Sequence, residues 1–460
     1  MAHLQDTICA LSTAPGRAGI AVARMSGPEC FPMLSRIFVP DTPTAAPRAR
    51  LAILGRIVDP ESEEILDQAL VTRFPAPDSY TGEDVAEISL HGSPVLIAAL
   101  LERLCAMGAR LAEPGEFTMR AFLHGRMDLT QAEAVHDVIS ATTLYQAQVA
   151  ARQRSGEISH QLKPIERALI GVIVQLESAV EFVEDDLALD SRAALALKLE
   201  KVEEELKRWI DSFRRGRIIR DGFTMAIVGK PNVGKSSLFN TLLRQERSIV
   251  TENPGTTRDL ISEFTSLEGI PFRLLDTAGV RASEDTVERM GVDRSLRAMA
   301  DADAILLVVD LSRPPSTEDE DLRQVLRGLS CIVVMNKCDL AARWSDADKC
   351  EFAPDWPRLE VSAKTGEHLD ALRRDILAHI LGDSAVRRDG ILITNLRHCR
   401  CLEDADQHLA RAASALRAGL SEEFVLVDLH AALQKLGAIT GETSVEDLLG
   451  EIFSRFCIGK

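Results

Sequence analysis

Gly229-Lys-Pro-Asn-Val-Gly-Lys-Ser-Ser237 holds the residue types that phosphate chemistry needs, at the spacing it needs. Glycines let backbone N–H groups close around phosphate oxygens, and a helix N-terminus adds a favourable partial charge. Lys235 would reach the β- and γ-phosphates and the Ser236 hydroxyl would ligate Mg²⁺, with Asn232, Val233, Gly234 and Ser237 completing the loop. Such a loop works only between a strand and a helix. The apolar run Phe223–Val228 reads as a buried strand and Ser236–Leu243 as a helix.

Four further segments follow in order. Gly255-Thr-Thr-Arg-Asp259 brings Thr257 as a second Mg²⁺ ligand and γ-phosphate sensor. Asp276-Thr277-Ala278-Gly279 ends the apolar run Phe272–Leu275, an acid followed by a flexible switch. Asn336-Lys337-Cys338-Asp339 ends the run Ile332–Met335. The Asp339 carboxylate can accept both N–H groups of a guanine edge, where adenine offers the wrong pattern. Ser362-Ala363-Lys364, after Leu359–Val361, completes a base pocket. Gly and Asp merely ending strands would explain any one segment; the five in series specify a guanine-nucleotide domain taking GTP and Mg²⁺.

The elements that position these residues imply several domains. A length of 460 residues suggests about three. Residues 1–120 read as mixed α/β, with strand-like runs at Ile20–Arg24, Leu51–Leu54, Ala69–Thr72 and Val85–Leu90 and a helix from Pro94 to Met107. Residues 121–219 read as helical, broken at Pro164 and near Asp185-Asp186. Residues 220–381 alternate strands and helices as a doubly wound GTPase sheet should, and 382–460 are helical again. The expected fold is therefore an N-terminal α/β domain and an all-helical domain with a P-loop GTPase domain inserted into it. No apolar run is long enough to span a bilayer and the N-terminus lacks a signal pattern, so the cytoplasm is the expected location. Nine scattered cysteines without a C-x-x-C pair argue against a disulfide framework or zinc ribbon. A net charge of −17 argues against broad nucleic-acid binding, although arginines at 214, 215, 217 and 220, and at 387, 388, 397 and 400, flank the GTPase region. They read either as solvated helix faces or as an RNA surface.

The chain resembles the MnmE (TrmE) family of tRNA-modification GTPases from end to end. The signatures are Tyr80-Thr-Gly-Glu-Asp-Val85, His91-Gly92, Pro114-Gly-Glu-Phe117, Arg120-Ala-Phe-Leu123, Asp128-Leu-Thr-Gln-Ala-Glu133, the five nucleotide motifs and the terminal Phe456-Cys-Ile-Gly-Lys460. The resemblance implies a homodimer formed through a folate-binding-like N-terminal domain, and a flavoprotein partner, MnmG (GidA), that carries FAD. Together they would place an aminomethyl or carboxymethylaminomethyl group on C5 of a tRNA wobble uridine. The carbon would come from a tetrahydrofolate derivative, in the 5-formyl or methylene form. By the family's motifs the folate residues are Arg24, Glu87, Arg126 and Lys460; the family often has Lys at 126, and a guanidinium differs in geometry. Cys457 reads either as a nucleophile toward uracil C6 or as packing at a helix end.

Small GTPases commonly carry a water-orienting glutamine after D-x-x-G and borrow an arginine. Here Val280 stands at that position. The family's substitute is K⁺, held by Asn232 and by the loop of Thr251, Glu252, Asn253, Pro254, Gly255 and Thr256, with Thr251, Asn253 and Thr256 as ligands. Glu288 aligns with the acidic residue that positions water, and the K⁺ site completes when two GTPase domains meet. Catalysis is thus expected from Glu288, Asn232 and Lys235. A GTP-gated assembly factor and a stand-alone folate transferase are the other classes. The first needs no folate-like domain or Cys-Ile-Gly-Lys tail, and the second needs no complete set of nucleotide motifs.

Overall fold

The computed structural model describes residues 5–42, 49–181, 190–244, 262–276, 302–382, 392–442, 446–454 and 456–459. By contact the chain divides into two units, one of Met1–His136, Ala151–Asp190 and Ala418–Lys460, the other of Asp137–Ala150 and Ser191–Arg417.

Period-two patterning builds the sheet of the first unit from β1 (Ile8–Leu11), β2 (Ala18–Ser26), β3 (Phe38–Pro40), β4 (Ile53–Val58), β5 (Ile65–Phe74), β6 (Val85–Gly92) and β7 (Arg110–Leu111). Their order is β3-β4-β5-β6-β2-β1-β7. Ala21, Ala23 and Met25 of β2 and Ala86, Ile88 and Leu90 of β6 point into the core with Leu34, Ile37, Leu100 and Leu104 of α1 (Cys30–Ile37) and α2 (Pro94–Ala106). The intervening residues therefore stand on the other face, where the register sets Arg24 directly opposite Glu87. The runs at 20–24, 69–72 and 85–90 all lie within strands, whereas the run at 51–54 enters its strand only at Ile53.

Helices α3 (Glu116–Leu123), α4 (Leu129–Ser140), α5 (Leu144–Arg154) and α6 (Glu157–Glu181) follow. The break expected at Pro164 does not occur: α6 runs through it. Ile158, Leu162, Ile165, Leu169, Val172, Ile173 and Leu176 form a buried stripe along its length, and Pro164 is exposed. The burial outweighs the one backbone bond that proline cannot donate. The helix starts instead after Gly156, whose φ of 89° suits glycine. The expected break near Asp185-Asp186 lies outside the described residues. Because a helix-interior proline costs about 3 kcal/mol against alanine, Pro164→Ala should stabilise the protein by about 1 kcal/mol or more, read as a raised denaturation midpoint. A lowered midpoint would show that the proline relieves packing strain.

In the second unit the sheet runs β13 (Arg358–Val361), β12 (Cys331–Asn336), β11 (Ala304–Asp310), β8 (Phe223–Val228), β10 (Ile270–Asp276), β9 (Ser262–Leu267), parallel except for the edge strand β9. Met225, Ile227, Leu306, Val308, Ile332 and Val334 join one core, and Ala226, Val228, Ile305, Leu307, Val333 and Met335 another. Both faces are therefore covered, as a parallel sheet requires. Helices α8 (Lys235–Arg244), α9 (Thr317–Val325), α10 (Asp346–Phe352) and α11 (Leu369–Leu381) alternate with the strands. In the same unit α7 (Arg192–Asp221) packs along α12 (Leu396–Arg417). Gly216 lets the chain before α12 approach, since a Cβ there would lie 2.1 Å from the Ile393 oxygen.

Candidate functional site

All the described nucleotide segments sit at the carboxyl ends of parallel strands, where open α/β sheets bind ligands. The loop after β8 leads into α8 from Lys235, as its sequence requires. Glycine is obligatory at two of its positions. At Gly229 (φ 155°) a Cβ would lie 2.3 Å from the Val308 oxygen, and at Gly234 (φ 99°) 2.2 Å from Asn336 Nδ2. The buried Lys235 donates from Nζ to the oxygens of Gly229 and Lys230, both at 2.7 Å, which curls the loop over its own lysine. Ser236, Ser237 and Asn232 are exposed, and Asn232 takes the left-handed conformation (φ 65°) that asparagine tolerates.

The segments expected to form the base pocket are braced to that loop. Asn336 is buried, donates from Nδ2 to the Val233 oxygen at 2.8 Å and accepts from the Ala363 amide at 3.0 Å. One side chain thus ties the phosphate loop to the segment after β13. Lys337 Nζ donates to the Asn232 oxygen at 2.9 Å and to Asp310 Oδ2 at 2.6 Å. Burial alone would raise the Asp310 carboxyl, but hydrogen bonds from Lys337 and Ser312 outweigh it and hold the group below the usual carboxylate range. Asp339 is exposed at the rim, and the buried Ser362 donates to its Oδ1 at 2.7 Å, which orients the carboxylate. Lys364 is exposed. The Cys338 thiol is pushed up by burial and by the carboxylates of Glu367, Asp339 and Glu360. Asp276 ends β10 as expected. Thr251, Glu252, Asn253, Pro254, Gly255, Thr256, Thr257, Thr277, Ala278, Gly279, Val280 and Glu288 lie outside the described residues, as do Arg387 and Arg388. Sequence reasoning passed over Asp310 and Lys230. Lys230 Nζ pairs with Asp319 at 2.6 Å, and the only signal for Asp310 was an acid ending the apolar run 304–309.

A second constellation occupies the first unit. Arg24 donates from Nε and Nη2 to Glu87 Oε1 at 3.1 and 2.7 Å, while Oε2 has no hydrogen bond among the described residues. The guanidinium lies 5.4 Å from the Tyr80 ring centroid and 5.8 Å from that of Phe117, within cation–π range. The segment carrying Tyr80 is held from below by Arg120, fully buried, which pairs with Asp6 at 2.5 Å, Glu116 at 2.9 Å and Glu83 at 3.2 Å. Burial would raise Glu116, yet hydrogen bonds from Arg110, the Glu113 amide and Arg120 hold it low. The Arg126 stem lies against Gly82, where a Cβ would sit 3.4 Å from its Cγ. The C-terminal tail returns to this sheet. Phe456 packs on Phe453 and His136, Gly115 N donates to the Cys457 oxygen at 3.3 Å, and Gly459 lies against the Leu11 oxygen, where a Cβ would sit 2.2 Å away. Cys457 is exposed, and Lys460 lies outside the described residues.

Family models match two stretches of the chain: the GTP-binding protein TrmE N-terminus over residues 7–126 and the MnmE helical domain over residues 129–457. The tRNA modification GTPase MnmE of Koribacter versatilis is 46% identical over 460 residues, covering 100% of both chains. The chain belongs to the MnmE family. Its relatives under the same name include those of Thermoanaerobacter sp., 43% identical with 99% of each chain covered, and Geobacter sulfurreducens, 40% identical with 100% of each covered. Era of Aquifex aeolicus is 27% identical over 40% of this chain and 66% of that one, with a TM-score of 0.29, too low to argue from. As an MnmE protein the chain is a GTP hydrolase of tRNA modification, with the three fold types expected of it. Among the described residues no helix is long and apolar enough to cross a membrane.

Proposed function

We propose that this MnmE protein couples GTP hydrolysis to the addition of an aminomethyl or carboxymethylaminomethyl group to C5 of a tRNA wobble uridine, in the cytoplasm. It would work as a homodimer with an FAD-carrying MnmG partner and a tetrahydrofolate derivative that supplies the one-carbon unit. The observation that carries the proposal is the gathering of Arg24, Glu87 and the 456–459 tail on one sheet. Ala10 pairs with Arg24 and Leu11 receives Gly459, so three segments far apart in sequence converge there.

That constellation fits a folate. Glu87, oriented by Arg24, keeps Oε2 as an acceptor for a pterin edge. The half-buried Tyr80 offers a ring face beside it, and Arg126 and Lys460 would meet the glutamate tail. In the GTPase domain Lys235 and the loop amides would hold the phosphates, Ser236 and Thr257 would ligate Mg²⁺, and Asn232 with Thr251, Asn253 and Thr256 would ligate K⁺. Bound there, such cations would supply positive charge against the transferring phosphoryl group. Glu288 would position water.

Full-length Arg24→Ala should weaken binding of 5-formyltetrahydrofolate, since one charge-assisted hydrogen bond is worth about 1.5–3 kcal/mol, a loss of roughly 10–150-fold. GTP turnover should stay unchanged. Unaltered folate affinity in calorimetry would remove Arg24 from the site.

A further inference from the structure

Beside the expected base pocket, Cys338 of the Asn336–Asp339 motif stands with two side chains that no nucleotide motif includes. The Sγ of Cys338, a carboxylate oxygen of Glu367 and a ring nitrogen of His368 all lie within 4.8 Å of one another. Thiolate, imidazole and carboxylate are the three donor types that zinc takes, and three protein ligands with one open position is a common zinc arrangement. With bonds of about 2.0–2.3 Å, tetrahedral ligands sit roughly 3.5 Å apart, so rotamer-scale shifts of three side chains close the site.

Two independent features point the same way. His368 Nδ1 lies 2.9 Å from the Glu360 backbone oxygen. A carbonyl only accepts, so Nδ1 carries the proton and Nε2 of the neutral ring keeps the lone pair a metal needs; zinc-binding histidines are oriented by this second bond. His368 also holds φ at 60° in the residue preceding α11, a conformation that glycine adopts without strain, and makes no capping hydrogen bond from its side chain. The competing carboxylate of Glu360 is engaged by Lys349 at 2.7 Å.

We infer that Cys338, Glu367 and His368 form a zinc-type metal site. A metal there would join the loop of Lys337 and Asp339 to the loop of Ser362, Ala363 and Lys364, the two walls of the base pocket. The inference goes beyond GTP hydrolysis and tRNA modification, and its test reads metal binding alone.

Tag-free full-length protein is titrated with Co²⁺, whose thiolate complexes absorb by ligand-to-metal charge transfer, and then with Zn²⁺. One equivalent of Co²⁺ should give the charge-transfer band, and Zn²⁺, higher in the affinity order, should bleach it. Cys338→Ala should abolish the band. His368→Gly, which suits the left-handed backbone and so keeps the fold, should weaken Co²⁺ binding at least tenfold. Absence of the band in the unaltered protein, its persistence in Cys338→Ala, or unchanged affinity in His368→Gly would each overturn the site.

Discussion

Asp339→Asn should weaken GTP binding by about 10²–10⁴-fold and shift preference toward xanthosine triphosphate. The carboxylate stands three residues beyond β12, oriented by the Ser362 hydroxyl at 2.7 Å. Guanine would present two N–H donors to it, and each charge-assisted bond is worth about 1.5–3 kcal/mol. An amide offers one acceptor and turns its NH₂ toward a donor. Xanthine carries a carbonyl where guanine has its amino group, so that NH₂ then finds a partner. Competition against a fluorescent GDP analogue by GTP, ATP and xanthosine triphosphate reads the change. Equal competition by ATP and GTP in the unaltered protein would show that Asp339 does not select the base.

The second large effect concerns hydrolysis. Val280 cannot orient water, so charge on the transferring phosphate needs another source. Asn232 stands exposed on the phosphate loop with its backbone oxygen fixed by Lys337 Nζ at 2.9 Å, which leaves its side-chain carbonyl available to a hard cation. Removing one preorganised contact of this kind costs about 10²–10³ in turnover. Asn232→Ala, or exchange of K⁺ for Na⁺, should slow GTP hydrolysis by that factor with nucleotide affinity nearly unchanged. The exchange of salt alters no residue, so it is free of the strain an alanine meets at a φ of 65°. Glu288→Ala should slow turnover without changing cation preference. Equal rates in K⁺ and Na⁺ at matched ionic strength would rule out the potassium reading.

The strands and the helix that frame the expected nucleotide segments were legible because their signals are local. A glycine-rich loop between an apolar run and a helix, and Asp or Asn at the ends of apolar runs, carry their meaning within a few residues. The strands 223–228, 331–336 and 358–361 accordingly lie where the motifs demanded them. What stayed hidden depends on residues far apart. Asn336 reaches Val233 across 103 positions, Arg120 reaches Asp6 across 114, and Ser12 bonds to Gly459 across 447. No window of sequence contains both partners. Pro164 failed as a breaker for a related reason, since a tertiary stripe overrode a local preference. The two-residue β7 has no pattern of its own; it exists because Arg110 and Leu111 pair with Ile8 and Cys9.

Whether this GTP hydrolase serves wobble-uridine modification is read by nucleoside mass spectrometry of tRNA from cells lacking the chain. The 5-aminomethyl or 5-carboxymethylaminomethyl uridines should be lost. The unaltered chain should restore them, and neither Arg24→Ala nor Asp339→Asn should do so fully. Wobble nucleosides unchanged by removal of the chain would contradict that role.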